Sequence, residues 1–373
     1  MAKPLKRLGT ADPVAAILAL GEALEGRTAI HFCDYEHADL PETVEDDVAL
    51  LVESSGSTGV PKMIPLSAKA LQASARASEA ALGGPGQWLL CLPITFIAGI
   101  QVLVRSLLAD TQPVLTNTAM PFTAEGFARA ASLMTGERRY TSIVPAQLQR
   151  LANAASSDDF VLEQLRSFDA ILVGGQAPNL NTVAMLLSLG VKIVITYGST
   201  ETSGGCVYNG VALNGVGIGL LEDGRIVISG PTLANGLAEW ESNDLGNFDE
   251  QGRLVILGRT DRVINSGGVK LSLDWVDQWV AAHPQVKDVV TLALTNPEFG
   301  QSFVAYVVYS SEDVPHINPE DAIRQFGIAA TASVWAAITE VPRLSSGKPD
   351  FEFLKKNFEE FQEKMRRGDV EES

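Results

Sequence analysis

Nine consecutive residues, Ser54, Ser55, Gly56, Ser57, Thr58, Gly59, Val60, Pro61 and Lys62, combine four hydroxyls, two glycines and a lysine. Glycine lets backbone N–H groups approach a ligand closely, hydroxyls donate hydrogen bonds, and lysine supplies charge. The set suits a loop wrapped around a polyanion such as a triphosphate. A solvated Ser/Gly turn has the same composition, so the loop alone leaves both readings open.

Four later stretches carry further chemistry. Tyr197-Gly198-Ser199-Thr200-Glu201-Thr202 follows an apolar run. An aromatic ring there can stack on a base, and a carboxylate can hold Mg²⁺ against phosphates; Glu201 equally suits a helix start. Asp244, before Leu245-Gly246, reads as lying in a polar turn. It can accept from two sugar hydroxyls or simply close the turn. Arg259, within Gly258-Arg259-Thr260-Asp261-Arg262, suits a ribose or phosphate, or a surface salt bridge. Lys348 ends the loop Pro342-Arg343-Leu344-Ser345-Ser346-Gly347. It is either a mobile point charge or a solvated side chain.

The elements that position these residues alternate. Apolar strands are expected at 30–32, 48–52, 88–92, 112–115, 170–173 and 192–197. Helices are expected at 67–82, 99–109, 122–135, 145–155 and 180–189. Apolar strands spaced by helices predict a parallel sheet buried on both faces. Beyond Gly210, residues 224–231 and 252–258 read as antiparallel strands with glycine turns. An α+β segment follows, with helices at 273–282 and 319–326 and strands at 286–295 and 302–309. The predicted class is therefore α/β. A large N-terminal domain of mixed sheets and helices, residues 1–260, precedes a small α+β C-terminal domain, 261–373. Residues 359–373 read as a charged fraying helix or tail.

The chain has 373 residues and a formal net charge of -17, which argues against a nucleic-acid binder working by phosphate neutralisation. Cys33, Cys91 and Cys206 form neither a metal-ligand spacing nor a disulfide framework, pointing to a reducing cytoplasm. Lys3, Lys6 and Arg7 precede a short apolar run at 13–20, which reads as an amphipathic surface helix rather than a signal peptide. No apolar run is long enough for membrane insertion.

Taken in order, the five motifs resemble those of the adenylate-forming superfamily: acyl-CoA synthetases, peptide-synthetase adenylation domains and luciferases. The resemblance spans roughly residues 48 to 350. It implies that ATP and a carboxylic acid give an acyl-adenylate and pyrophosphate, after which a thiol, usually coenzyme A, displaces AMP. By resemblance, Ser54, Ser55, Gly56, Ser57, Thr58, Gly59 and Lys62 would hold the β- and γ-phosphates. Gly174, Gly175, Gln176, Tyr197, Gly198 and Ser199 would cradle adenine. Thr200 would lie near the α-phosphate, Glu201 on Mg²⁺, and Asp244 and Arg259 on the ribose. Asp261 would be a hinge for the C-terminal domain, and Lys348 would enter the site during adenylation.

Some positions depart from the family pattern. Ser57 stands where threonine is common, and Met63 where glycine is frequent. Leu92-Pro93-Ile94-Thr95-Phe96-Ile97-Ala98-Gly99 resembles the acyl-pocket motif, with Phe96 near the usual histidine or other aromatic. Only about fifty residues precede the phosphate loop, implying a reduced N-terminal subdomain. That compactness, with residues 92–105 and 264–270, is similar to the short actinobacterial o-succinylbenzoate–CoA ligases of menaquinone biosynthesis. On this resemblance Ala98, Gly99, Ser203, Gly204 and Gly205 would leave room for a benzene ring, and Arg105 would meet a second carboxylate. The alternatives are another aryl or short-chain acyl-CoA synthetase and a non-catalytic nucleotide-binding relative. Small molecules are the expected partners, with a homodimer left open.

Overall fold

The computed structural model describes residues 2–34, 40–54, 62–311, 314–344 and 347–367, with side chains described to residue 360. The chain divides into two compact units: Met1–Ser242 with Gly246–Val255, and Asn243–Leu245 with Ile256–Ser373.

The first unit contains two large sheets. One has five strands in the spatial order Thr43–Glu45, Ala2–Leu8, Ala29–Phe32, Val48–Ser54 and Lys62–Ser67. The other has seven, in the order Val211–Ala212, Gly204–Tyr208, Ile193–Ser199, Ala170–Val173, Arg139–Ile143, Gln87–Leu90 and Val114–Leu115. The five strands from Ile193–Ser199 to Val114–Leu115 run parallel, as expected. The two beyond them are antiparallel. Alternate side chains of the parallel strands enter different cores, as the pleat requires. Trp88, Leu90, Ala170 and Leu172 pack with helices Pro13–Leu24, Ala68–Ala81 and Ile97–Leu108, and with Leu50 and Val52 of the first sheet. Leu89, Cys91, Ile171 and Val173 pack with helices Ala124–Ser132, Pro145–Ala155, Asp159–Arg166 and Leu180–Ser188.

Local sequence starts several helices cleanly. Asp12 accepts from the N–H groups of Val14 and Ala15 at 3.1 and 3.0 Å, with Pro13 supplying the first helical residue. Ser67 accepts from the Ala70 N–H at 3.1 Å.

In the second unit, Val286–Asn296 and Gly300–Tyr309 form a long hairpin. Val334–Ala337 joins it in parallel, and the hairpin Val263–Ser266/Val269–Ser272 extends it. Phe303, Ala305 and Val307 face helices Leu273–Ala281 and Pro319–Phe326. Val304, Tyr306 and Val308 face Val341 and the helix Phe351–Arg367.

Two local expectations are corrected. Asp244 lies within strand Glu239–Phe248 rather than in a turn. The strand expected to end at Tyr197 runs on through Gly198 and Ser199, because Gly204–Tyr208 continues the ladder past Tyr197.

Candidate active site

The phosphate-loop motif begins and ends in an antiparallel ladder. Ser54 is paired with Lys62, so the two ends of the loop are held side by side. Ser55, Gly56, Ser57, Thr58 and Gly59 lie outside the described residues. The buried run Val48–Val52 fixes one arm of this ladder in the core.

At the carboxyl ends of the parallel strands, two glycines sit where neighbouring atoms leave no room for a side chain. A Cβ on Gly174 would lie 2.3 Å from the Thr196 hydroxyl, and one on Gly198 would lie 2.1 Å from the Gly204 carbonyl oxygen. Gly175 has φ 85°, which glycine adopts without strain, and half-buried Gln176 follows it. Thr202 closes the next turn. Its hydroxyl accepts from the Ser199 N–H at 2.8 Å and donates to the Gly204 carbonyl at 2.7 Å. This turn carries Thr200 and Glu201, both half-buried. No described residue pairs with the Glu201 carboxylate, although the Glu201 backbone carbonyl accepts from the Ala234 N–H at 2.7 Å. The adjacent Asn235 N–H donates to the Pro65 carbonyl at 3.0 Å. Two consecutive residues thus tie the Glu201 turn to the strand that leaves the phosphate loop.

Ser203 is fully buried and left-handed, with φ 53°. Its carbonyl accepts from the Ser74 hydroxyl at 3.0 Å and the Gln101 amide at 2.8 Å. Such clamping holds a conformation that a serine otherwise avoids. Gly204 has φ 97° and lies against the Gln101 side chain.

The expected acyl-binding residues divide. Phe96 is half-buried at the N-terminal end of helix Ile97–Leu108, and Ala98 is exposed beside it. Gly99 is not spare room. A Cβ there would lie 2.3 Å from the Pro93 carbonyl oxygen, so this glycine serves close helix packing. Arg105 lies two turns further along, roughly 10 Å down the helix axis. It is buried, with its guanidinium 4.8 Å from the Trp88 ring centroid and 3.4 Å from the Tyr208 hydroxyl. It lines a small cavity with Gly86, Trp88 and Tyr140, at the amino ends of the parallel strands. Its guanidinium is thus engaged at the amino ends of the strands, whereas Gly174 lies at their carboxyl ends, which weighs against a direct role with the second carboxylate.

In the second unit, Asp244, Arg259 and Asp261 meet. Arg259 donates to Asp244 at 3.1 Å and to both oxygens of Asp261 at 2.9 and 2.7 Å. These bonds, that to Asp261 foremost, raise the already high pKa of the guanidinium. The Arg259 N–H donates to Asp274 at 2.7 Å. Asp261 lies in the short 3-10 turn Thr260–Arg262. Lys348 is exposed, and its backbone carbonyl accepts from the Leu344 N–H at 2.8 Å.

Two of the three cysteines, Cys91 and Cys206, are buried. Burial pushes the Cys91 thiol up to about 12 and the Cys206 thiol up to about 11. Both are inert as nucleophiles near neutrality.

A family model for AMP-binding enzymes matches residues 6–260. The chain belongs to the AMP-binding enzyme family. This AMP-binding enzyme is 37% identical over 372 residues to the probable 2-succinylbenzoate–CoA ligase of Mycobacterium tuberculosis (strain H37Rv), covering 94% of this chain and 93% of that protein. Its fold is similar to that of the o-succinylbenzoate CoA synthetase of Bacillus subtilis, solved with the acyl-adenylate intermediate OSB-AMP. That match has a TM-score of 0.68 at 22% identity, over 89% of this chain and 75% of that one. The amide bond synthetase McbA of Marinactinospora thermotolerans superposes with a TM-score of 0.73 at 18% identity, over 95% of this chain and 80% of that one.

Sequence reasoning missed Ser74, Gln101, Ala234 and Asn235, which support the AMP-binding enzyme's turn at 199–204. Most act through backbone carbonyls far away in sequence, so no local spacing announces them.

Proposed function

We propose that this protein uses ATP to convert 2-succinylbenzoate to its acyl-adenylate and then transfers the acyl group to coenzyme A. The observation that carries the reading is the 37% identity, across nearly all of both chains, with a protein named for that ligase activity. One carboxylate of the acid attacks the α-phosphorus and pyrophosphate leaves. The CoA thiol then attacks the acyl carbon and AMP leaves. Menaquinone biosynthesis in the cytoplasm is the corresponding setting.

The first step brings two anions together, so it needs preorganised positive charge. The 54–62 loop holds the β- and γ-phosphates, and Thr200 donates near the α-phosphate. Tyr197 and the 174–176 turn receive adenine. Asp244 and Arg259 hold the ribose. Mg²⁺ fits Glu201, whose carboxylate has no described protein partner, because this ion needs only one or two carboxylates beside phosphates and water. When bound it neutralises phosphate charge. Lys348 supplies its cation only in the first half-reaction, and motion of the C-terminal unit about Asp261 exchanges it for thioester-forming groups.

The test is ATP–pyrophosphate exchange with purified protein and a panel of acids. Exchange with 2-succinylbenzoate, and little with benzoate or butyrate, is expected. Exchange with benzoate or butyrate alone would establish a different acyl-CoA synthetase. ATP binding without exchange for any acid would establish a non-catalytic relative.

A further inference from the structure

We infer that Arg343 is a positioning residue for Lys348, anchored by Asp288, and that it acts in the adenylation half-reaction. The inference rests on the adenylation role proposed for Lys348.

The lysine loop is a compact hairpin with a fixed base. Arg343 pairs with Pro349 across it, the Asp350 N–H donates to the Pro342 carbonyl at 2.9 Å, and the Gly347 N–H donates to the Leu344 carbonyl at 2.8 Å. Val341 before the loop and Leu354 after it are buried in one core cluster. Those contacts fix where the loop leaves the sheet. Immediately before the lysine stands Gly347, at φ 81°, and glycine has the widest backbone freedom of any residue, so this peptide gains most from a side-chain restraint.

Arg343 restrains that peptide. One terminal nitrogen donates to the Gly347 carbonyl at 2.9 Å, and the other to the Asp288 carboxylate at 2.6 Å. A planar guanidinium can span two acceptors in fixed directions, which a lysine ammonium cannot. Asp288 lies at a register shift in strand Val286–Asn296, between the pairs Val286–Tyr309 and Asp288–Val308. Such irregularities re-aim side chains. The line of restraint runs from the sheet through Asp288 and Arg343 to the Gly347 carbonyl, one residue from Lys348. Side chains of Arg343 and Asp288 are 20% and 35% exposed, so the pair is only partly screened by solvent.

The experiment measures both half-reactions in the full-length enzyme: ATP–pyrophosphate exchange, and thioester formation from supplied acyl-adenylate and CoA. Arg343→Ala is expected to lower exchange about 10- to 100-fold, the scale of a small misplacement of a catalytic group. Thioester formation should remain within about twofold of wild type. Arg343→Lys, which keeps the charge, should recover only part of the exchange, and Asp288→Asn should lose less than Arg343→Ala. In a Lys348→Ala background, Arg343→Ala should add no further loss, because it acts only through the lysine. Equal loss in both half-reactions, unchanged exchange, or additive losses in the double variant would overturn the positioning role. If Lys348→Ala abolishes exchange while Arg343→Ala leaves it unchanged, only this inference falls. If Lys348→Ala leaves exchange intact, the role of the lysine falls and the inference with it.

Discussion

Gly198 has no side chain because a carbonyl oxygen stands where one would go. Replacement by alanine would place a methyl group 2.1 Å from the Gly204 oxygen, forcing apart two strands at the turn that carries Glu201. Gly198→Ala should cost at least about 1–3 kcal/mol, as overpacking does, and should lower exchange; denaturant titration beside the exchange assay measures both. Arg105 is the opposite case. Its charge type invited a role with the second carboxylate, but its side chain ends among Trp88, Tyr208 and Tyr140. Arg105→Met keeps much of that packing and removes the charge. The KM for 2-succinylbenzoate should stay within about twofold, since no uniform binding energy is lost; a tenfold rise would return the residue to the pocket. The motif residues were legible because hydroxyls, glycines and charges cluster locally in sequence. The supports of Ser203 and Glu201 were not, because each is a bond to a backbone carbonyl set by tertiary packing; nor was the tie of the Lys348 loop to Asp288, which lies far away in sequence.

Among elements, the buried strands were readable from composition, since Leu50 or Ile171 has no polar alternate neighbour to mark a solvent face. Several others were not. Ala2–Leu8 carries Lys3, Lys6 and Arg7, charges that suggest a targeting segment more readily than a strand. Lys62–Ser67 contains Pro65, a residue disfavoured within sheets. It is tolerated on this edge strand of the five-stranded sheet. Helix Asp159–Arg166 is short, and its start rests on the Asp158 cap. Helix Leu273–Ala281 packs beside the proposed hinge at Asp261. It presents Asp274 and Asp277, three positions apart, to Arg262. Arg262 donates to Asp277 at 2.5 Å and to the Thr291 carbonyl at 3.1 Å. Burial pushes the Asp277 carboxyl up to about 6, against the pull of Arg262. The folded state therefore holds this proton more tightly than the unfolded chain, whose carboxyl titrates near 3.8. The associated stability is complete below 3.8 and is lost as pH rises to about 6. Asp277→Asn, neutral throughout, should lack that decline. Urea unfolding followed by fluorescence of Trp275 and Trp279, on the same helix, checks it. Parallel wild-type and variant stability curves between pH 4 and 6 would contradict the shift.

At the scale of the whole molecule, one active site must serve two reactions with different electrostatic needs. Adenylation joins two anions and needs positive charge, the role proposed for Lys348, whereas thiol attack on the adenylate does not. Asp261 connects the proposed ribose grip to the proposed hinge, because Arg259 binds Asp244 and Asp261 together. Two substitutions separate its possible contributions. Asp261→Ala removes the carboxylate from Arg259 but leaves the backbone free. Asp261→Pro also fixes φ near −65° and biases Thr260 away from helical backbone, which opposes the short turn Thr260–Arg262. If Asp261 serves only as the arginine's partner, both variants should show the same weakened ATP dependence and the same half-reaction rates. A hinge predicts a further effect confined to proline: one half-reaction slows by about tenfold or more relative to alanine, while the other changes little. The comparison is made with ATP–pyrophosphate exchange and with thioester formation from supplied adenylate. Equal rates for proline and alanine in both assays would remove residue 261 from the axis of motion and leave it as part of the ribose site.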